Sequence, residues 1–213
     1  MPKPTFFRLN EEKQARLIQA AHDEFSRVPF ESASISNIIR LAGIPRGSFY
    51  QYFEDKADIY FYLLQQLRVT SQQHLNDAVQ ASKGDFFQAM AQNFGEVIDD
   101  IVEGHNAALY RNVFMYMDYR GAARLSPAMF DRSRDHDAHE AQVRRLYDKV
   151  DTDKLQIDDI RDFKMLLGLV MNTFMQTIGH YYAHQSRGEE VSIDELKQRL
   201  HQLLHWIQSG VGK

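Results

Sequence analysis

Apolar residues recur at helical spacing along most of this chain. No segment shows the Val/Ile/Thr alternation bounded by hairpin turns that marks strands, so the pattern predicts an all-α protein. A first helix is expected over Glu12 to Phe25. Ile35, Ile38, Ile39 and Leu41-Ala42 form the apolar stripe of a short second helix, with Ser34 as its candidate N-cap. Gly43 supplies a left-handed residue that ends a helix without a Cβ clash. Pro45 follows where its fixed φ suits the first turn of a third helix. In that helix Pro45, Phe49 and Phe53 share one face and are expected to pack into a small core. Arg46, Gly47, Tyr50 and Gln51 point away, with Ser48 and Tyr52 on the borders. A short helix, a tight turn with glycine and a second helix describe a helix-turn-helix.

Lys56 to Gln80 reads as one long helix that belongs to both halves of the chain. Lys83-Gly84-Asp85 breaks it, and Asp85 is placed to cap a helix from Phe86 to Glu103. Gly104 ends that helix, Ala107 to Tyr119 forms another, and Gly121 to Pro127 interrupts the pattern. A polar, charge-rich helix is expected from Pro127 to about Val150, then a loop from Asp151 to Asp158. Ile160 to His184 carries apolar residues over more than one stripe and is expected to be buried on two sides. Ser192 and Glu195 make a capping-box signature ahead of Leu196, Leu200, Leu203, Leu204 and Ile207.

The polar face of the third helix carries groups suited to duplex DNA. Arg46 can donate two hydrogen bonds to guanine, and Gln51 can pair with the adenine edge. Ser48, Tyr50 and Tyr52 offer hydroxyls to phosphates, Gly47 lets backbone approach closely, and Lys56 can meet a phosphate at the start of the next helix. Four aromatics within Phe49 to Phe53 do not fit one buried stripe, which argues against a helix that simply packs.

The segment from Ser34 through Ile38-Ile39, Leu41-Ala42-Gly43-Ile44 and Gly47-Ser48-Phe49-Tyr50-Gln51-Tyr52-Phe53 to Lys56 resembles the TetR family of bacterial repressors. The similarity covers roughly residues 10 to 67. Pro45 and Ile39 depart from it, standing where members often carry Ser and Ala. The resemblance implies a DNA-binding domain over residues 1–56, completed by the start of the long helix. It also implies an effector-binding and dimerisation domain over residues 57–213. A homodimer on a palindromic operator, released by a small molecule, is the function it implies. Ser34, Arg46, Gly47, Ser48, Tyr50, Gln51, Tyr52 and Lys56 are then the expected DNA-binding residues. The last two helices are expected to pair with their symmetry mates in a four-helix bundle.

Composition narrows the alternatives. The 213-residue chain has no cysteine, which excludes disulfides and thiol chemistry. It shows no run long enough to span a membrane and no secretory segment, so a cytoplasmic protein is expected. Net charge is −4, but residues 1–56 hold eight Lys/Arg against seven Asp/Glu, leaving the acidic excess in residues 57–213. A nearly neutral reading domain should bind DNA weakly outside its operator and with strong salt dependence. No nucleophile elbow, phosphate loop or zinc-protease motif is present, and no cofactor is called for, so an enzyme is not expected.

The candidate effector pocket is apolar: Phe94, Tyr110, Phe114, Met117, Met171, Phe174 and Met175, with Asn93, Asn112, Asn172, Gln176, Arg111 and Asp118 as possible polar anchors. Such a lining favours an acyl chain, an aromatic molecule or a drug-like cation. Two other readings remain. His180 with His184, and His136 with His139 beside Asp135 and Asp137, have spacings that suit a metal-responsive regulator. A helical protein-binding adaptor would explain the fold but not the disposition of Arg46, Tyr50, Gln51, Tyr52 and Lys56.

Overall fold

The computed structural model describes residues 1–116 and 136–211. Within them the chain forms α1 (Glu11–Arg27), α2 (Ile35–Ala42), α3 (Arg46–Tyr52), α4 (Lys56–Ala81), α5 (Phe86–Val102), α6 (Ala107–Met115), α7 (His136–Tyr147), α8 (Ile160–Ser186) and α9 (Ile193–Val211). No strand occurs among the described residues. The expected boundary of a helix near Tyr119, the break at Gly121 to Pro127 and the start of the helix at Pro127 lie outside them.

The described residues fall into two compact units. One comprises Met1–Val69 with the described part of His105–Asp131; the other comprises Thr70–Gly104 with the described part of Arg132–Lys213. The long helix α4 contributes residues to both.

In the first unit, Asn10 caps α1 by accepting from the Lys13 N–H, while Glu11 and Glu12 sit in its first turn, where the helix dipole favours negative charge. Leu17, Ala20, Ala21 and Phe25 of α1 are buried with Ile38 and Ala42 of α2, Phe49 of α3, and Ile59 and Leu63 of α4. Leu109 and Val113 of α6 complete this core. Gly43 ends α2 at φ 64°, ψ 36°. Its N–H bonds the Arg40 carbonyl, and the next N–H reaches back to Ile39. That pairing satisfies carbonyls the helix would otherwise leave open.

Two expected core positions are corrected. Leu41 is 43% exposed, because the stripe of α2 is narrowed to Ile38 and Ala42, with Ile35 and Ile39 half-buried. Pro45 is also exposed: its extended ψ of 147° makes it the N-cap residue of α3 instead of a member of the buried face.

In the second unit, Asp85 caps α5 by accepting from the Gln88 N–H. Ser192 and Glu195 form a reciprocal capping box: Glu195 N–H donates to Ser192 Oγ at 3.2 Å, and Ser192 N–H donates to Glu195 Oε2 at 2.9 Å. Phe86 meets Phe163 edge-on at 5.4 Å, and Leu196, Leu200 and Leu204 bury one stripe of α9. Asp159 caps α8 by accepting from the N–H groups of Arg161 and Asp162. The expectation that α8 is buried on two sides is only partly met. Phe163, Leu166, Val170, Phe174 and Ile178 are buried, whereas Met165 is 68% and Leu169 51% exposed.

Candidate nucleic-acid interface

The third helix has seven residues, too short to persist alone in water, so its neighbours must hold it. Phe49 and Phe53 are fully buried and fix its orientation. Arg46, Gly47, Tyr50 and Gln51 are exposed, and Ser48 and Tyr52 are half-buried at the edges. The structure thus brings six of the sequence-selected residues onto one outward face. At Gly47 a Cβ would meet nothing within 4 Å, so no neighbour among the described residues demands glycine there.

Ser34 stands at the N-cap of α2 with extended backbone, but its side chain makes no capping bond. The helix start is secured instead by Glu24 of α1. Glu24 is 1% exposed and its Oε1 accepts from the Ser34 N–H at 2.8 Å. Asn37 in the first turn of α2 and the Arg27 guanidinium also donate to this carboxylate. Burial alone would raise the pKa of Glu24, but the bonds from Ser34, Arg27 and Asn37 outweigh it and hold the group below its ordinary value. Sequence reasoning missed Glu24, because Ser34 and Asn37, the groups it serves on α2, lie beyond the end of its own helix.

Lys56 is tied inward. Its ammonium donates to the carbonyls of Ala33 at 2.9 Å and Glu31 at 3.1 Å, and sits 4.6 Å from the centre of the Phe30 ring. It therefore pins the loop before α2 to the start of α4, whatever else its remaining N–H meets.

The sequence-selected effector residues divide between the units. Phe94 and Phe174 stack face to face at 4.2 Å in the second unit, where Met171 and Met175 are half-buried on α8. Tyr110 and Phe114 lie on α6 in the first unit. Met117 and Asp118 lie outside the described residues. Asn112 is no free anchor: its amide donates to the carbonyls of Phe25 and Ser26. Asn93, 5% exposed, has an Oδ1 with no partner among the described residues. A separate open cleft of about 680 Å³ between α5 and α9 is lined by Gln88, Gln92, Asp99, Lys197 and His201, and by none of the selected residues.

His180 and His184 approach at 4.1 Å between ring centres, and His184 Nδ1 pairs with Glu189. Among the described residues no group of three or more His, Asp or Glu is placed to hold a metal. The side chains of His136 and His139 lie outside the described set. No helix among the described residues is long and apolar enough to cross a membrane.

Residues 17–63 match the family model described as bacterial regulatory proteins, tetR family, and residues 85–211 match the tetracyclin repressor-like C-terminal domain. The HTH-type transcriptional regulator YdgC of Bacillus subtilis (strain 168), itself uncharacterized, is 42% identical over 53 residues, or 25% of this chain. The chain matches only 27% of that relative's length. A TetR-family transcriptional regulator from Mesorhizobium loti shares the fold with a TM-score of 0.67 at 14% identity, covering 95% of this chain and 98% of that one. The regulator FadR of Bacillus subtilis, solved in complex with stearoyl-CoA, has a TM-score of 0.63 at 14% identity, covering 92% and 98%. FadR of Bacillus halodurans gives 0.64 at 16% identity, covering 89% and 96%. With its C-terminal model spanning more than half its length and α2 and α3 falling within the N-terminal one, the chain belongs to the TetR family of DNA-binding transcriptional regulators.

Proposed function

We propose that this regulator is a repressor that binds a palindromic operator as a homodimer and releases it when a lipophilic or aromatic effector binds. The observation that carries the DNA half of this reading is α3. Arg46, Gly47, Tyr50 and Gln51 are exposed in a row above the buried Phe49 and Phe53. Glycine costs about 1 kcal/mol relative to alanine inside a helix. Open space over Gly47 supports the idea that the site is kept small for an approaching duplex.

A dimer is supported by one face of the second unit. Met165, Gly168, Leu169, Asn172, Gln176, Gly179 and Ala183 are exposed at helical spacing along α8, and Trp206 on the adjoining α9 is 63% exposed. Met165, Leu169 and Trp206, large apolar side chains left exposed on this helix pair, suit a four-helix bundle with the same pair of a second copy. Two-fold symmetry would set two recognition helices about one DNA turn apart, near 34 Å.

An effector is supported by the second unit's interior. The Phe94–Phe174 stack offers an apolar wall, and the Oδ1 of Asn93, without a partner among the described residues, offers a buried acceptor. Leaving such a group unpaired is costly, so a ligand donor would be bound strongly. The stearoyl-CoA in the Bacillus subtilis FadR crystal makes acyl-CoAs sensible first probes. The effector can shift the protein off DNA only by binding the DNA-incompetent conformation better. Gel shift with the promoter region beside its own gene, repeated with acyl-CoAs, aromatics and cations, tests the reading. A repressor retards a palindromic fragment in the cytoplasmic salt range and loses it to one ligand class; failure to retard any fragment overturns it.

A further inference from the structure

The last four carbonyls of an α-helix have no partner within it, and a short helix suffers most from leaving them open. The recognition helix is short, contains Gly47, has no side-chain cap at Pro45 and carries no basic residue in its last turn. Its C-terminal carbonyls are nonetheless all satisfied. Phe49 accepts from the Phe53 N–H at 2.9 Å, and Tyr52 accepts from the backbone N–H of Lys3 at 2.8 Å. Tyr50 accepts from the Lys3 ammonium at 2.9 Å, and Gln51 accepts from the Thr5 hydroxyl. Three of the four partners come from the segment before α1.

That segment is anchored. Phe6 is fully buried, with its ring 5.1 Å from Phe53 and 5.4 Å from Tyr62, and the Phe6 N–H closes a turn onto the Lys3 carbonyl. The Lys3 charge also sits at the negative end of the α3 dipole. The carbonyls that Lys3 and Thr5 hold belong to Tyr50, Gln51 and Tyr52, whose side chains form the last turn of the outward face.

We propose that Lys3 and Thr5 are positioning residues for DNA readout: together they clamp the end of the recognition helix and so set the pose of Tyr50, Gln51 and Tyr52 against the bases. The clamp rests on the reading of α3 as the DNA-reading helix. Its function is to hold α3 straight to its last turn, which lowers the ordering that binding would otherwise demand.

The double variant Lys3→Met/Thr5→Val removes both side-chain donors while keeping bulk, and Thr5→Ser keeps the hydroxyl. Each is compared with wild type for binding to the operator and to operators altered one base pair at a time, across a salt series, with thermal midpoint and oligomeric state measured in parallel. A second readout needs no DNA: hydrogen exchange at the Phe53 amide, whose bond to Phe49 closes the last turn. The double variant is expected to exchange faster at Phe53. It should also lose roughly three- to tenfold of its discrimination at the positions read by the last turn, with oligomeric state and salt slope unchanged, and Thr5→Ser should behave as wild type. Unchanged exchange and discrimination overturn the clamp and leave the DNA reading standing. A uniform loss on all sequences with a salt slope lower by about one makes Lys3 a phosphate contact and also overturns it. A loss that follows a fall in thermal midpoint, without change in base preference, reduces the segment to a stabilising role and overturns it too. A wild-type protein that binds no fragment removes the DNA reading and the clamp together.

Discussion

Asn112 on α6 donates from its side-chain amide to the backbone carbonyl of Phe25, near the end of α1, at 2.8 Å. The same amide reaches Ser26 at 2.9 Å, so one buried side chain from α6 caps the C-terminus of α1. Asn112→Ala strands those carbonyls and leaves a small void. The expected cost is about 1–3 kcal/mol, read as a lower urea midpoint with unchanged slope. A change within a few tenths of a kcal/mol would show that water replaces the amide and that α6 is only loosely held to α1.

The carboxylate of Glu24 makes stability depend on pH in a defined sense. Its folded pKa lies below its ordinary value of 4.5, so its contribution is fully present above that value and disappears as pH falls through the folded one. Glu24→Gln is expected to be less stable near neutral pH by about 1–3 kcal/mol. The gap between the two proteins should close on acidification below about pH 4.5. Because Asp58 and Glu195 are also held low, the test is the difference between urea titrations of the two proteins and not either curve alone. A gap that stays constant to pH 3 would separate Glu24 from the acid transition.

What was legible in the sequence was local. Ile38, Ala42, Gly43, Phe49 and Phe53 declare the helix-turn-helix because helical period, a left-handed stop and buried aromatics act over a few residues. The outward placement of Arg46, Tyr50 and Gln51 follows from the same period. The capping box at Ser192 and Glu195 and the cap at Asp85 were readable for that reason too. The rest depends on distant chain. Ser34 marks the start of α2, but the group that serves it, Glu24, comes from another helix. Asn112 looked like a ligand anchor because nothing in its neighbours reveals the open carbonyls of Phe25 and Ser26. Periodicity made the α2 stripe too wide by Leu41, since stripe width depends on what packs against it. Nothing in the opening residues themselves shows that Lys3 and Thr5 meet α3, because the carbonyls they hold lie some fifty positions along the chain.

Lys56 links the loop before α2 to the start of α4 through two carbonyls and the Phe30 ring. Lys56→Ala should therefore lower the thermal midpoint of the protein, by an amount corresponding to about 1–2 kcal/mol, and weaken binding to all DNA sequences alike. Differential scanning calorimetry beside binding isotherms separates the possible origins. An unchanged midpoint with a salt slope lower by about one would make Lys56 a phosphate ligand and not a brace.

Arg46 and Gln51 present long polar side chains from opposite ends of the exposed face of α3. Arg46→Ala and Gln51→Ala are each expected to weaken operator binding by about 1–3 kcal/mol per half-site and to relax preference at one base position. Their stability should hardly change, because both residues are exposed. Binding measured against a set of single-base operator variants shows the effect directly. Loss of affinity with the base preference intact would assign the residue to the phosphate backbone.

Leu169 is 51% exposed on the α8 face that also carries Met165, while Val170 beside it is fully buried. A glutamate at position 169 would leave the interior of one chain untouched, since the side chain already faces outward. In a two-fold bundle it would instead bring like charges together in a poorly hydrated seam, where unpaired charge is expensive. Leu169→Glu is therefore expected to keep its helical content and thermal cooperativity while shifting to monomer in sedimentation at micromolar concentration. Operator affinity should fall with it, because a palindrome rewards only a reader that presents two linked recognition helices. Leu169→Ala, which removes apolar area without adding charge, should lie between the variant and wild type. A Leu169→Glu protein that sediments as wild type and still retards the operator would place the dimer contact elsewhere on the second unit.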